Sequence, residues 1–490
     1  MTYETVIGLE VHAELSTRTK LFCGCPNRFG APPNSLVCPV CLGLPGVLPV
    51  PNRHAVELLV QTARALGCRV APLSKFDRKN YFYPDIPKNF QTSQYDLPLA
   101  EHGHLDFEVA GRPGRARIRR IHLEEDTGKS VHVVEGRGTG GDVVGARLGS
   151  ADYTLVDYNR AGVPLMEIVS EPDLRTPEEA AAWLEALRDV LRWLEVSDCR
   201  MEEGSLRCDA NISLRPAGSE ELGTKTEIKN MNSFKSVLSA LAYEVERQRG
   251  VLEAGGRVLQ ETRAWDEDRG VTHSMRSKEH AHDYRYFPEP DLLPMELDPA
   301  WLAEVDAGLP ELPASRARRY REECGLSGPE AAFVTSTRQQ ADFFEEAGRT
   351  REVATWMANE LSRLSRETAT PLGSSHLRPG HLAEVLGLVA RGTISNKGAR
   401  ELVERLFCQG GDPAELVERM GLAQISSEEA LRAEVRAVLD DHPVAVEEYR
   451  AGKEKALNVL VGQLMKRTGG RANPQLARRL LVEAAGSEGG

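Results

Sequence analysis

The chain holds no apolar run near the ~20 residues that a membrane-spanning helix requires, so no membrane partner is expected. It has no surplus of positive charge either. Lys+Arg 61 against Asp+Glu 73 leaves −12, which excludes bulk-charge coating of nucleic acid but leaves local basic patches open. Gly 43 and Pro 28 are close to average usage and exclude a collagen-like or wholly disordered chain. The opening Met1-Thr2-Tyr3-Glu4-Thr5 has neither a basic nor an apolar leader region, as expected of a chain without a secretory signal. No G-x-x-x-x-G-K-[ST] phosphate loop and no G-x-S-x-G elbow occur. Disulfides are not expected, because nine cysteines is an odd number and four of them cluster. That usage fits a reduced, cytoplasmic protein with a metal site.

What is present is ample. The 490 residues are 41% hydrophobic and 27% charged, enough for about three globular domains. Residues 1–292 mix strand and helix signals. Alternating runs at Thr5–His12, Arg115–His122, Leu206–Leu214 and Thr224–Ile228 predict strands. Thr176-Pro177-Glu178-Glu179 predicts a capping box, followed by the apolar stripe Ala180, Trp183, Leu184, Leu187, Leu191 and Leu194. A second helix is expected from Ser233, with Val237, Leu238, Leu241 and Val245 on one face. Helices do not follow each strand in turn, so a doubly wound parallel sheet is not expected. Beyond about Pro299 the strand signals vanish, and Gly410-Gly411-Asp412-Pro413 marks an internal break. The expected division is 1–292 (α+β), 293–410 (all-α) and 411–490 (a helical tail). Residues 411–449 carry ten acids and three bases, whereas 450–490 carry eight bases and three acids.

Four chemical patterns stand out. Cys23-x-Cys25 and Cys38-x-x-Cys41 offer four thiolates from two turns, the donor set of a closed, structural zinc site, while four buried thiols packed as small hydrophobes give the same pattern. Glu10, His12 and Glu14 share one face of a strand. Further polar sets occur at His122–Asp126, at Glu202-Glu203 with Asp209–Ser213, and at Lys225–Asn230. Carboxylates and a histidine on one sheet suit Mg²⁺ carrying a nucleotide phosphate, while solvated strand faces explain the same pattern. Lys75–Lys88 interleaves cations, aromatics and prolines, read either as a phosphate-contacting segment or as a rigid surface loop. Gly136–Gly141 lies between strand-like runs and is expected to be a hairpin loop. Thr2 follows the first methionine, and no cysteine stands beside a convincing base. The chain is therefore not expected to release ammonia from an amide by itself.

The segment Val156-Asp157-Tyr158-Asn159-Arg160-Ala161-Gly162-Val163-Pro164-Leu165-Met166-Glu167-Ile168-Val169 resembles the signature of the B subunit of bacterial aspartyl/glutamyl-tRNA amidotransferases, the GatB/GatE family. The resemblance continues in Ile7–His12, Tyr81–Asn89, His122–Lys129, Asp209–Ser213, Lys225–Asn232 and Asp283–Asp291. The basic tail around Lys455–Asn473 is similar to the family's YqeY-type module. The resemblance implies a cradle domain of glutamine-synthetase type over 1–292, with the zinc site inserted at about 23–41. A helical domain and a tRNA-binding tail would follow. It implies that ATP and Mg²⁺ serve to phosphorylate the side-chain carboxylate of Asp-tRNA(Asn) or Glu-tRNA(Gln). Ammonia would then arrive from the family's amidase partner, a glutaminase. A small third protein would tie the heterotrimer together, and a cognate synthetase would be a further partner. Carried onto this chain, the Mg²⁺ and nucleotide roles fall to Glu10, His12, Glu124 and Glu125, with Asp209 and Glu227 beside them. Lys79 and Lys88 fall at the channel mouth or on phosphate, and Glu125 would gate or deprotonate arriving ammonium. Two rival readings fare worse. A silent RNA scaffold has no use for alternating carboxylates, and a free-standing amino-acid ligase leaves the long helical tail without a role.

Overall fold

A computed structural model describes residues 2–134, 143–144, 151–277, 283–425 and 427–486. The Gly136–Gly141 run lies outside the described residues. The chain forms two compact units, 1–312 and 313–490.

The first unit is α+β and is built on one nine-stranded sheet. Its strands are β1 (Tyr3–Glu14), β2 (Arg69–Val70), β3 (Ala100–Val109), β4 (Arg112–Glu125), β5 (Pro164–Ser170), β6 (Leu206–Pro216), β7 (Thr226–Lys229), β8 (Glu261–Asp266) and β9 (Val271–Ser277). The order is β9-β8-β7-β6-β1-β5-β4-β3-β2, antiparallel except where β7 meets β8. Leu9, Val11 and Ala13 of β1, Cys208, Ala210 and Ile212 of β6, and Met166 and Ile168 of β5 project to one face and are buried. Against that face pack α1 (Arg53–Ala65), α2 (Pro177–Trp193) and α3 (Phe234–Glu253), in a single core.

The helices start where their caps dictate. Thr176 accepts from Glu179 N at 3.1 Å and Pro177 opens α2. The box is not reciprocal, because the Glu179 carboxylate accepts from Arg175 N at 2.7 Å instead. Ser233 caps α3 by accepting from Ser236 N. A later helix, Pro299–Gly308, adds Val305 to this same core. Among the described residues, no helix is long and apolar enough to cross a membrane.

A bend in β3 and β4 fixes what the open face of the sheet carries. In β4 the buried apolar positions run Ala116, Ile118, then Ile121, Leu123, so the alternation changes phase at Arg119. The pairing with β5 shifts there, from Val169 opposite Arg120 to Ser170 opposite Ile118. On β3 the neighbouring His102 takes φ 59°. The phase change turns His122 and Glu124 onto the same face as His12.

The second unit is all helical among its described residues. Gly410 and Gly411 adopt φ 70° and 120° after the helix Asn396–Gln409. Asp412 then caps the helix Pro413–Arg419, its carboxylate accepting from Glu415 N at 3.0 Å. Residues 431–485 close a small core of Leu431, Val435, Leu457, Leu460, Leu464 and Leu481.

Candidate functional site

The register of the central strands assembles the first cluster. His12 lies opposite Glu167 on β5, and Glu167 lies opposite His122 on β4. His12 Nε2 is 3.3 Å from Glu167 Oε2, 3.6 Å from Glu124 Oε1 and 3.8 Å from Glu10 Oε1. His122 Nε2 is 3.6 Å from Glu167 Oε2 and 3.8 Å from Glu124 Oε2. Two overlapping donor groups result, Glu10–His12–Glu167 and His122–Glu124–Glu167, with ligand atoms within 4.8 Å of one another.

The electrostatics are those of crowded acids. Burial raises the Glu10 carboxyl and the nearby Glu167 charge raises it further. Burial would raise Glu124 as well, but the hydrogen bond from His122 and the charges of His12 and Lys79 hold it below its ordinary value. Burial would lower His12. The bond to Glu167, with the charges of Glu167, Glu124 and Glu10, instead lifts it to about 9. His122 Nδ1 is buried with no hydrogen-bond partner among the described residues. Three carboxylates and two imidazoles converging on an open sheet face form a donor set that a hard divalent cation relieves.

The cations come from a small sheet formed by strands Asp77–Asn80, Phe90–Ser93 and Phe287–Pro288. Lys79 lies over the rings of Tyr284 and Tyr81, at 5.1 and 6.0 Å, with no ion pair among the described residues. Burial would lower its ammonium, but the charges of Glu124 and Glu167 keep it raised. Ser93 Oγ donates to Glu124 Oε2 at 3.3 Å. Asp209 lies opposite Glu10 across the β1–β6 pairing and is ion-paired to Lys229. Lys229 is also 3.5 Å from Glu227, whose Oε2 accepts from Thr262 at 2.7 Å. Asp209 and Glu227 therefore flank the cluster with a lysine between them.

Glu125 is placed elsewhere. It follows Glu124 on the strand and so projects to the other side. There it is ion-paired to Lys88 and accepts from Thr92 N at 2.8 Å. Among the described residues it joins no group of metal-donor geometry with Glu10, His12 or Glu124. Glu10, His12, Glu124 and Glu125, expected to share the Mg²⁺ role, therefore divide between two sites on opposite sides of one strand end. A cavity of about 210 Å³ adjoins Lys88 and Glu125, with Cys23, Cys41 and Gly43 on its wall.

That wall is the second cluster. The sulfurs of Cys23, Cys25, Cys38 and Cys41 all lie within 4.8 Å of one another. Cys41 Sγ accepts from Cys38 N at 3.2 Å and from Lys20 Nζ at 3.6 Å. A hydrogen bond shared with Cys23 holds the Cys41 thiol down at about 5 and pushes Cys23 up, and burial pushes Cys25 up to about 11. Four converging sulfurs with N–H donors to one of them fit a tetrahedral thiolate site.

Glu167 and His122 belong to the acid–histidine cluster but stand outside the set expected from sequence. Glu167 was legible as an acid inside the apolar strand Leu165-Met166-Glu167-Ile168-Val169. His122 required the bend at Arg119. In the second unit, Arg467 is paired to Glu434 and Asp441, and Arg479 to Glu428. Lys466 has no ion pair among the described residues.

Comparison with known proteins bears on what these clusters do. A family described as the GatB/GatE catalytic domain matches residues 5–303, and one described as the GatB domain matches residues 342–484. The B subunit of the aspartyl/glutamyl-tRNA(Asn/Gln) amidotransferase of Carboxydothermus hydrogenoformans is 54% identical over 483 residues, covering 98% of each chain. The protein of the same name from Moorella thermoacetica is 55% identical over 487 residues, 99% of this chain and 100% of its own. That from Thermomicrobium roseum is 54% identical over 99% of both chains.

Proposed function

The chain belongs to the GatB/GatE family, and on that premise we propose that it is the B subunit of a tRNA-dependent amidotransferase, a carbon–nitrogen ligase with glutamine as amido donor. It activates the side-chain carboxylate of Asp-tRNA(Asn) or Glu-tRNA(Gln) with ATP. It then amidates that group with ammonia supplied by a glutaminase partner, in a complex completed by a small third protein. The observation that carries this reading is the cluster of Glu10, His12, Glu124, Glu167 and His122 on the open face of the sheet, with Lys79 beside it. A cytoplasmic location and a cradle of glutamine-synthetase type belong to the same proposal.

The chemistry explains the residue set. A carboxylate is a poor acyl donor because its leaving group would be oxide. Attack of the carboxylate oxygen on the γ-phosphorus of ATP releases ADP and leaves an acyl phosphate. Ammonia then adds to the acyl carbon, and inorganic phosphate departs. Phosphoryl transfer demands positioning and charge neutralisation more than covalent help. Glu10, His12, Glu124 and Glu167 are the residues that would hold Mg²⁺, which when bound neutralises phosphate charge. Lys79, half-buried and without a carboxylate partner of its own among the described residues, is suited to meet a phosphate or carboxylate oxygen. His12 must give up a proton for its Nε2 to serve as a ligand. Asp209 and Glu227, with Lys229 between them, border the nucleotide side. Lys88 and Glu125 sit at the cavity beside the cysteine turn, a place suited to admitting ammonia. The four cysteines are the residues that would hold a structural Zn²⁺, and four thiolates would leave it no catalytic role.

The absence of a glutaminase nucleophile from the sequence supports the need for the glutaminase partner. Reconstitution of the heterotrimer tests the function. The complex is expected to cleave ATP only when mischarged tRNA is present, and to form amidated aminoacyl-tRNA from glutamine or from ammonium chloride. ATP cleavage indifferent to mischarged tRNA would overturn the reading.

A further inference from the structure

Lys20 is the most deeply buried lysine among the described residues, with no measurable exposure. Such a side chain normally pairs with a carboxylate or lets its ammonium reach water. Lys20 does neither. Its ammonium donates to Tyr158 O at 3.2 Å and to Cys41 Sγ at 3.6 Å, and among the described residues no carboxylate lies within ion-pair distance. Glu125, an acid of the adjoining cavity wall, is already paired with Lys88.

The backbone prevents escape. Lys20 N donates to Cys25 O at 2.9 Å, Leu21 N donates to Gly162 O at 2.8 Å, and Asn52 Nδ2 donates to Lys20 O at 3.4 Å. The lysine stem passes close to Gly162. A β-carbon on that glycine would meet Cys41 Cβ at 3.4 Å and Lys20 Cδ at 3.6 Å. The ammonium is therefore fixed against the sulfur cluster.

Four thiolates around one dication leave a net double negative charge in a partly buried place. Cys41 Sγ accepts from the Cys38 backbone N–H and from this fixed cation. We propose that Lys20 is the buried counter-charge of the four-cysteine site, a positioning residue that strengthens metal retention through Cys41. Through Cys41 it fixes the Cys38–Leu44 turn that walls the Lys88–Glu125 cavity. Gly43 ties the two together: a β-carbon there would collide with the Lys88 Cγ, so the turn lies directly on the lysine stem. The inference rests on the zinc reading of the cluster.

The test uses the full chain and its Lys20→Met variant. Zinc content is measured by atomic emission, and zinc release is timed with a colorimetric chelator. Melting is followed both zinc-loaded and stripped. Loss of a partner that supports a metal ligand typically weakens retention on the order of 10–100-fold, and release is expected to accelerate by that factor. The melting temperature should fall further in the loaded form than in the stripped form, because the loaded site carries the larger negative charge that Lys20 faces. Equal release rates, or equal destabilisation of loaded and stripped forms, would reduce Lys20 to a bond with Tyr158 and overturn the proposal. Should the methionine variant not fold, Lys20→Arg decides. Retained zinc supports the counter-charge, and lost zinc overturns it. A wild-type chain without zinc overturns the zinc reading itself, and the proposal with it.

Discussion

His12 offers a direct test of the electrostatics of the acid–histidine cluster. In the folded chain Glu167, Glu124 and Glu10 lift it from 6.5 to about 9 against the effect of burial. In the unfolded chain it returns to its ordinary ~6.5. Folding therefore takes up a proton between these two values. The stabilisation is fully present below about 6.5 and is lost as pH rises through about 9. That rise, at about 1.36 kcal/mol per pH unit, gives about 3 kcal/mol. The perturbation is His12→Asn, which removes the titrating group. The assay is urea unfolding of the chelator-treated chain at pH 6 and pH 10. It is followed by tryptophan fluorescence, since Trp183, Trp193, Trp265 and Trp301 all lie in the first unit. The stability gap between wild type and variant is expected to narrow by about 3 kcal/mol from pH 6 to pH 10. A gap of the same size at both pH values would refute the charge pairing drawn for this cluster.

Other outcomes follow from the separate positions of the groups. Cys38→Ser is expected to lower zinc content from about one per chain and to lower the melting temperature, since thiolate ligation contributes folding free energy. Atomic emission and calorimetry check both. Glu125→Gln leaves the half-buried Lys88 ammonium without its carboxylate but still donating to Thr92, so stability should fall by roughly 1.5–3 kcal/mol, while tRNA-dependent ATP cleavage persists. Loss of ATP cleavage in that variant would return Glu125 to the metal cluster. Removing residues 427–490 deletes a self-contained core and should weaken tRNA binding and its salt dependence without touching glutaminase activity. Filter binding at two salt concentrations checks this, and unchanged affinity would remove the tail from tRNA recognition.

Much of the framework was legible because strand and helix periods differ. Glu10, His12 and Glu14 alternate with Leu9, Val11 and Ala13, which fixes the core face and the open face of β1 without further information. The stripe behind Thr176 fixes α2 in the same way. The site itself was only half legible. Strict alternation from Arg115 would have sent His122 and Glu124 toward the core, and only the bend at Arg119 and His102 reverses that. Adjacency in sequence placed Glu124 and Glu125 together, whereas a strand sends neighbours to opposite sides. The small sheet joins Asp77–Asn80 to Phe287–Pro288, a pairing about two hundred residues apart that no local pattern announces. In the tail, counting bases overstated the free positive charge. Arg467 and Arg479 spend theirs on Glu434, Asp441 and Glu428 within the same unit.

The central claim is that carboxylate activation occurs at the acid–histidine cluster, and Glu124→Gln in the full complex tests it most directly. Glu124 is buried among His12, His122 and Ser93, and glutamine keeps its shape while removing its charge. Glutamine hydrolysis, tRNA-dependent ATP cleavage and amidation are measured separately, with ammonium chloride supplied in a second series. Removing one preorganised electrostatic partner is expected to slow ATP cleavage and amidation by about 10²–10³, with ammonium giving no rescue and glutamine hydrolysis retained. Full amidation restored by ammonium, or ATP cleavage at the wild-type rate, would contradict the account.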